Sequence, residues 1–178
     1  FGEEGDDTFI LEDGFGNDTI TGGEDVDGLD VDVIDASGVT TGGVTVTATD
    51  EAGSLEQGAD TVTFSEIESF TLTDQADAFT AFGNSAVTFD AGAGDDTIRE
   101  GNGDNLIDGG EGSDRFIIGF GNSTIAGGED GDGSDVDILS AFEANDGITV
   151  IFDGTEQGNY TDNSDTDSGT FSGIERVI

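Results

Sequence analysis

Residues 91–126 read AGAGDDTIR, EGNGDNLID, GGEGSDRFI and IGFGNSTIA, four consecutive nine-residue units with none left over. The second and fourth places are glycine throughout: Gly92 and Gly94, Gly101 and Gly103, Gly110 and Gly112, Gly119 and Gly121. The eighth place is large and apolar (Ile98, Ile107, Phe116, Ile125), and the sixth is Asp96, Asn105, Asp114 and Ser123. One inward apolar residue per nine, preceded by a glycine-rich turn, is the signature of a strand–turn unit that buries its apolar side only by stacking on copies of itself. The spacing predicts an all-β chain, a right-handed parallel β-roll or β-solenoid built from nonapeptide repeats, with additional strand-rich segments and almost no helix.

The register weakens outward from this stretch. Residues 82–90 keep Gly83 and Phe89 but place Val87 sixth, while 2–10 and 13–21 repeat the theme with Asp7 and Asp18. A longer repeat lies over the short one. FGNDTITGGEDVDGLDVDVIDA (15–36) matches FGNSTIAGGEDGDGSDVDILSA (120–141), and Thr63-Phe64-Ser65-Glu66-Ile67-Glu68 matches Thr170-Phe171-Ser172-Gly173-Ile174-Glu175. Between them, Glu56-Gln57-Gly58 is read as the counterpart of Glu156-Gln157-Gly158. The chain therefore divides into two modules, 1–80 (roll turns 2–30, strands 44–73) and 81–178 (roll turns 82–135, strands 148–178). In VTVTAT (44–49) the alternation places Val44, Val46 and Ala48 inward and the threonines outward; TVTF (61–64), SFTLT (69–73) and ITVIF (148–152) read similarly.

Composition narrows the partners. Three arginines, no lysine, no histidine and 42 carboxylates give a formal net charge of −39. Nucleic acid and anionic membrane surfaces both need basic patches and are excluded as partners. No apolar run approaches the ~18 residues of a membrane span. Cysteine is absent, so disulfides and thiolate metal sites are too. With no Met and Phe at position 1, the chain is expected to be a processed product or part of something longer.

Two nonapeptides make one coil, so turns eighteen residues apart stack. One side then carries Asp96, Asp114 and Asp132, and the other Val87, Asn105 and Ser123. Coils lie about 4.8 Å apart, where two unneutralised carboxylates repel by about 3.5 kcal/mol at an effective dielectric of 20. Calcium suits such a ladder, because it is a hard cation that takes six to eight oxygens, and glycines at positive φ let turn carbonyls join the carboxylates. Magnesium fits less well, since it holds to octahedral geometry and keeps its waters. Several calcium ions are expected, with dissociation constants of about 10⁻⁴–10⁻³ M. They cannot cancel −39, so much of the acidity is expected at the surface, where salt screens it.

These nonapeptides resemble those of the RTX (repeats-in-toxin) family of secreted bacterial calcium-binding β-roll proteins, closely over 82–135 and well over 2–30. The resemblance implies calcium between successive turns, and a chain that stays unfolded in the calcium-poor cytosol and folds after export. It implies that Asp96, Asp114 and Asp132 bracket stacked ions, with Gly92, Gly94, Gly110 and Gly112 supplying backbone oxygens. Asn105 would offer one further oxygen from the weaker edge. In the first module it implies Asp7 and Asp27 on one side and Asp18 on the other. The closing GIERVI (173–178) also resembles the stretch before a hedgehog/intein-type autoprocessing domain.

The expected role is structural and extracellular, at the bacterial cell surface: an adhesin stalk, surface layer or self-assembling filament subunit, with neighbouring copies stacked head to tail. The alternative is a calcium-triggered folding and export spacer in an autoprocessed precursor. Paired carboxylates also occur in carbohydrate-active enzymes and threonine arrays in ice-binding proteins. Here each acid is accounted for as ligand or solvated charge and the threonines as ordinary strand faces, so no enzymatic activity is expected.

Overall fold

The computed structural model describes residues 1–24, 26, 29–129, 133–141, 148–162 and 167–178. The chain opens with β1 (Thr8–Glu12), β2 (Asn17–Thr21) and β3 (Val33–Gly38), then an antiparallel meander of β4 (Thr45–Thr49), β5 (Ala52–Gln57) and β6 (Asp60–Ser65). Short strands follow: β7 (Ser69–Thr71), β8 (Ala78–Phe82), β9 (Thr88–Asp90), β10 (Thr97–Arg99), β11 (Leu106–Asp108), β12 (Arg115–Ile117), β13 (Thr124–Ala126) and β14 (Ile138–Ser140). A second meander, β15 (Ile148–Phe152), β16 (Gln157–Asp162) and β17 (Ser168–Ser172), precedes β18 (Arg176–Val177). Among the described residues there is no helix.

The strands form two mostly parallel nine-stranded sheets, ordered β1-β3-β7-β9-β11-β13-β17-β16-β15 and β18-β14-β12-β10-β8-β4-β5-β6-β2. From β7 to β14 successive strands join alternate sheets, so parallel neighbours lie two strands apart in sequence. Thr97 pairs with Arg115 and Leu106 with Thr124, each at the expected eighteen-residue interval. The nine-residue period follows from this alternation, since each three-residue strand spends one side chain inward. Ile98, Ile107, Phe116 and Ile125 are all buried.

Aromatic rings from the two sheets interleave between them. Phe64 meets Phe70 edge-on at 5.2 Å, Phe70 meets Phe79 at 5.5 Å, and Phe79 stacks on Phe89 at 4.3 Å. Val44, Val46 and Ala48 are buried while Thr45, Thr47 and Thr49 are exposed, as the alternation predicts. ITVIF (148–152) departs from that expectation: β15 ends its sheet order, and Ile151 and Phe152 are about half exposed.

The long repeat has a topological consequence. β1, β3 and β7 lie in one sheet, whereas their counterparts β12, β14 and β18 lie in the other. The second copy therefore sits on the opposite side of the strand stack. Structure also corrects one alignment. Added Cβ atoms at Gly53 and Gly158 would each strike an aromatic Cζ, of Phe64 and Phe171 respectively, at 2.9 Å. Gly158 thus corresponds to Gly53, and Glu156 to Glu51 rather than to Glu56.

Candidate metal centre

A file of carboxylates climbs one edge of the stack, each tied to the backbone of its neighbour. Asp77 N–H donates to Asp96 Oδ1 at 2.6 Å, Asp96 N–H to Asp114 Oδ1 at 2.9 Å, and Asp114 N–H to Asp137 Oδ1 at 2.7 Å. Asp137 N–H donates to Glu175 Oε2 at 2.5 Å. A shorter file occupies the other sheet's edge, where Asp7 N–H donates to Asp32 Oδ1 and Asp32 N–H to Glu68 Oε2, both at 2.8 Å. The two files are counterparts: Asp7, Asp32 and Glu68 stand where Asp114, Asp137 and Glu175 stand in the second copy.

These hydrogen bonds use one oxygen of each carboxylate. The second oxygens of Asp32, Asp96, Asp114 and Asp137 are buried without a hydrogen-bond partner, as is Glu68 Oε1. Leaving a buried acceptor unmade costs about 1–3 kcal/mol, and more when it is charged. Burial accordingly pushes the Asp96 carboxyl up to about 8, Asp137 to about 7 and Asp114 to about 6. Asp32, Glu68 and Asp77 are raised for the same reason, with neighbouring carboxylates adding to the effect at Asp32 and Glu68.

The unpartnered oxygens share a setting. The space that a Cβ on Gly109 would fill is crowded by Asp114 Oδ2 and the Gly127 carbonyl. At Gly127 the crowding atoms are Asp137 Oδ2 and the Gly173 carbonyl, and at Gly22 they are Asp32 Oδ2 and the Glu66 carbonyl. Each turn thus brings a carboxylate oxygen and a backbone carbonyl together around a glycine, with no donor of its own. An all-oxygen, electron-rich set of this kind suits a hard cation and nothing softer.

Asp96 and Asp114 stand in one file, as the spacing predicts. The file continues through Asp137, twenty-three residues after Asp114, rather than eighteen. Asp132 and Asp27 lie outside the described residues. Asp7 is followed by Asp32, and its own Oδ2 accepts the Glu3 N–H at 3.1 Å. Asp18 lies in β2 at the end of its sheet order and is exposed. Gly92, Gly94, Gly110 and Gly112 all take positive φ, between 92° and 122°. Their carbonyls stack along the turn: Gly92 O faces Gly110, Gly94 O faces Gly112, and Gly110 O faces Gly128. The carbonyls that share the glycine spaces with the free carboxylate oxygens are instead those of Glu66, Gly127 and Gly173.

The opposite edge differs in kind. Val87 N–H donates to Asn105 Oδ1 at 3.0 Å, and Asn105 N–H to Ser123 Oγ at 3.3 Å. Buried Glu100 closes this edge, accepting from Gly119 N–H at 3.1 Å, Tyr160 O–H at 3.3 Å and Asn105 Nδ2 at 3.4 Å. Hydrogen bonds satisfy it internally, so Asn105 has a structural task that needs no cation. Of the arginines, Arg99 lies over the Phe82 ring at 5.4 Å and Arg115 donates to Ser140 Oγ at 3.3 Å.

Two further acid groups were not legible in the nonapeptides. Carboxylate oxygens of Glu24, Glu51 and Glu68 lie within 4.8 Å of one another, and so do those of Glu129, Glu156 and Glu175. Among the described residues no helix is long and apolar enough to cross a membrane. The chain matches no family model and no curated protein.

Proposed function

We propose that the chain is a calcium-binding β-roll module of a secreted, extracellular bacterial protein, and that its role is structural. The observation carrying this reading is the recurrence, in three turns, of an unpartnered buried Asp oxygen beside a backbone carbonyl. Asp96, Asp114 and Asp137, with Asp32 and Glu68 in the other file, would hold the ions; bound calcium would supply positive charge where the fold places negative charge. The residues do the rest. The Asp Oδ1 atoms fix the coil spacing through backbone N–H groups, and the glycines bring coils close enough for oxygens from two of them to meet.

Outside the cell calcium is abundant, and a module whose buried acids resist ionisation without it folds only there. This supports the extracellular assignment and the resemblance to RTX repeats. Head-to-tail stacking of neighbouring copies is part of this reading: among the described residues β18 ends its sheet order, and a strand edge of that kind can pair with another copy.

Equilibrium dialysis against millimolar calcium in 1 M sodium chloride tests the reading, because salt at that strength screens surface charge to a Debye length of about 3 Å. Several ions per chain are expected to remain bound, with magnesium failing to displace them. Retention of no calcium, or equal retention of magnesium, contradicts it.

A further inference from the structure

We propose that each glutamate triad is a further divalent-cation clasp built on the last glutamate of a turn file, fastening the tip of a meander hairpin to the strand stack. The proposal goes beyond the ladder reading, since Glu24, Glu51, Glu129 and Glu156 belong to neither file. Each triad gathers three segments far apart in sequence. Glu24 and Glu129 follow the glycine pairs after β2 and β13. Glu51 and Glu156 sit in the hairpins β4–β5 and β15–β16, the latter with a left-handed backbone of φ 57°. Glu68 and Glu175 precede β7 and β18. The two triads use glutamate at all six positions and occupy equivalent places in the two copies.

The scaffold beneath them is duplicated as well. Ile67 N–H donates to the Glu51 carbonyl at 3.1 Å and Ile174 N–H to the Glu156 carbonyl at 3.0 Å. Gly22 N–H donates to Ser65 O at 3.0 Å and Gly127 N–H to Ser172 O at 2.8 Å. A second kind of observation points to a ligand. Asp32, 1% exposed, turns its unpartnered Oδ2 to the corner between Gly22 and Glu66, from which Glu24 and Glu68 spring. Asp137, fully buried, does the same between Gly127 and Gly173, beside Glu129 and Glu175. Glu68 Oε1 is itself buried and unpartnered. Three carboxylates converge in each place with no lysine or arginine among the groups gathered there. The donor set is oxygen only, carboxylate-rich and drawn from flexible side chains, which selects calcium over magnesium.

The test uses the full chain with E51Q, E156Q and their combination, beside D96N/D114N as the ladder reference. Glutamine keeps the shape and removes the charge. By equilibrium dialysis with calcium alone, each single variant is expected to bind one ion fewer and the double variant two fewer. D96N/D114N should lose different ions, so that the losses add. Unchanged stoichiometry and affinity in E51Q/E156Q would overturn the clasp, whatever the ladder variant does. Loss of two ions in E51Q/E156Q alone, with none lost in D96N/D114N, would support the clasp and sink the ladder.

Amide exchange supplies a readout independent of ion counting, with each copy the control for the other. Calcium at a hundred times its dissociation constant should slow exchange of Ile67 and Ile174 N–H about 100-fold. At the same calcium concentration, E51Q should speed exchange at Ile67 about 100-fold relative to the unsubstituted chain and leave Ile174 unchanged. Equal exchange at Ile67 in E51Q and the unsubstituted chain contradicts the clasp.

Discussion

Asp114→Asn is expected to lower stability sharply in calcium and to raise it in chelator. Asparagine keeps the Oδ1 that accepts the Asp96 N–H, so the backbone tie at 2.9 Å survives. What it removes is a charge that stands between two neighbours, Asp96 below and Asp137 above. In calcium, both intervals lose a ligand. A site occupied at a hundred times its dissociation constant contributes about 2.7 kcal/mol, so weakening two sites costs up to about 5 kcal/mol. In chelator the sign reverses, because a buried carboxylate with one unpartnered oxygen is replaced by a neutral amide. Asn105→Ala supplies the contrast. It breaks the bonds to Val87 N–H and Glu100, costing about 1–3 kcal/mol by the same amount with and without calcium. Urea unfolding of both variants in calcium, and in chelator with an excluded osmolyte added to populate the fold, gives the four numbers. A calcium-independent effect of Asp114→Asn would remove Asp114 from the metal centre.

The second large effect is a reversal of pH dependence. Burial pushes Asp96, Asp137 and Asp114 up to about 8, 7 and 6, from an ordinary aspartate value of 3.8. A carboxyl whose folded pKa is raised binds more protons in the fold than in the unfolded chain. Its favourable contribution is therefore complete below about pH 4 and is lost as pH rises through the folded value. Each such group changes stability by up to about 1.4 kcal/mol per pH unit across that interval. Without calcium, the folded fraction should rise as pH falls from 8 to 5. Burial raises Asp32, Glu68, Asp77, Glu100 and Asp108 in the same direction, so they add to the slope. With calcium the slope should have the opposite sign, since protons and cations compete for the same oxygens. Parallel slopes in the two conditions would contradict the assignment of these three residues.

The sheets and half of the candidate metal centre could be read from residues 91–126, because there the strand, turn and glycine positions recur without insertion. Asp96 and Asp114 follow from that period alone. Asp137 does not, since five extra residues in the loop after Gly128 push it from the eighteen-residue interval. Glu68 and Glu175 lie outside any nonapeptide, and a glutamate ending a Ser-x-Ile-Glu stretch carries no turn signal. A matching tripeptide aligns Glu56 with Glu156, whereas pairing against Phe64 and Phe171 assigns Glu51 instead. The tripeptide match masks the repeated triads. The switch of the acid file from one sheet edge to the other follows from the odd number of half-coils between copies, which sequence spacing with irregular loops does not count. Asn105 reads as a weak ligand by position, yet its amide donates to buried Glu100, which Tyr160, distant in sequence, also holds by a hydrogen bond.

The central claim is that buried, unpartnered carboxylate oxygens make this fold conditional on calcium. Far-ultraviolet circular dichroism of the chelated chain at pH 7.5, followed through a calcium titration with magnesium as control, addresses it most directly. The account predicts little β signal in chelator, a cooperative gain between about 10⁻⁴ and 10⁻³ M calcium, and no comparable gain with magnesium. A chain already fully β in chelator, gaining nothing from millimolar calcium, would contradict it.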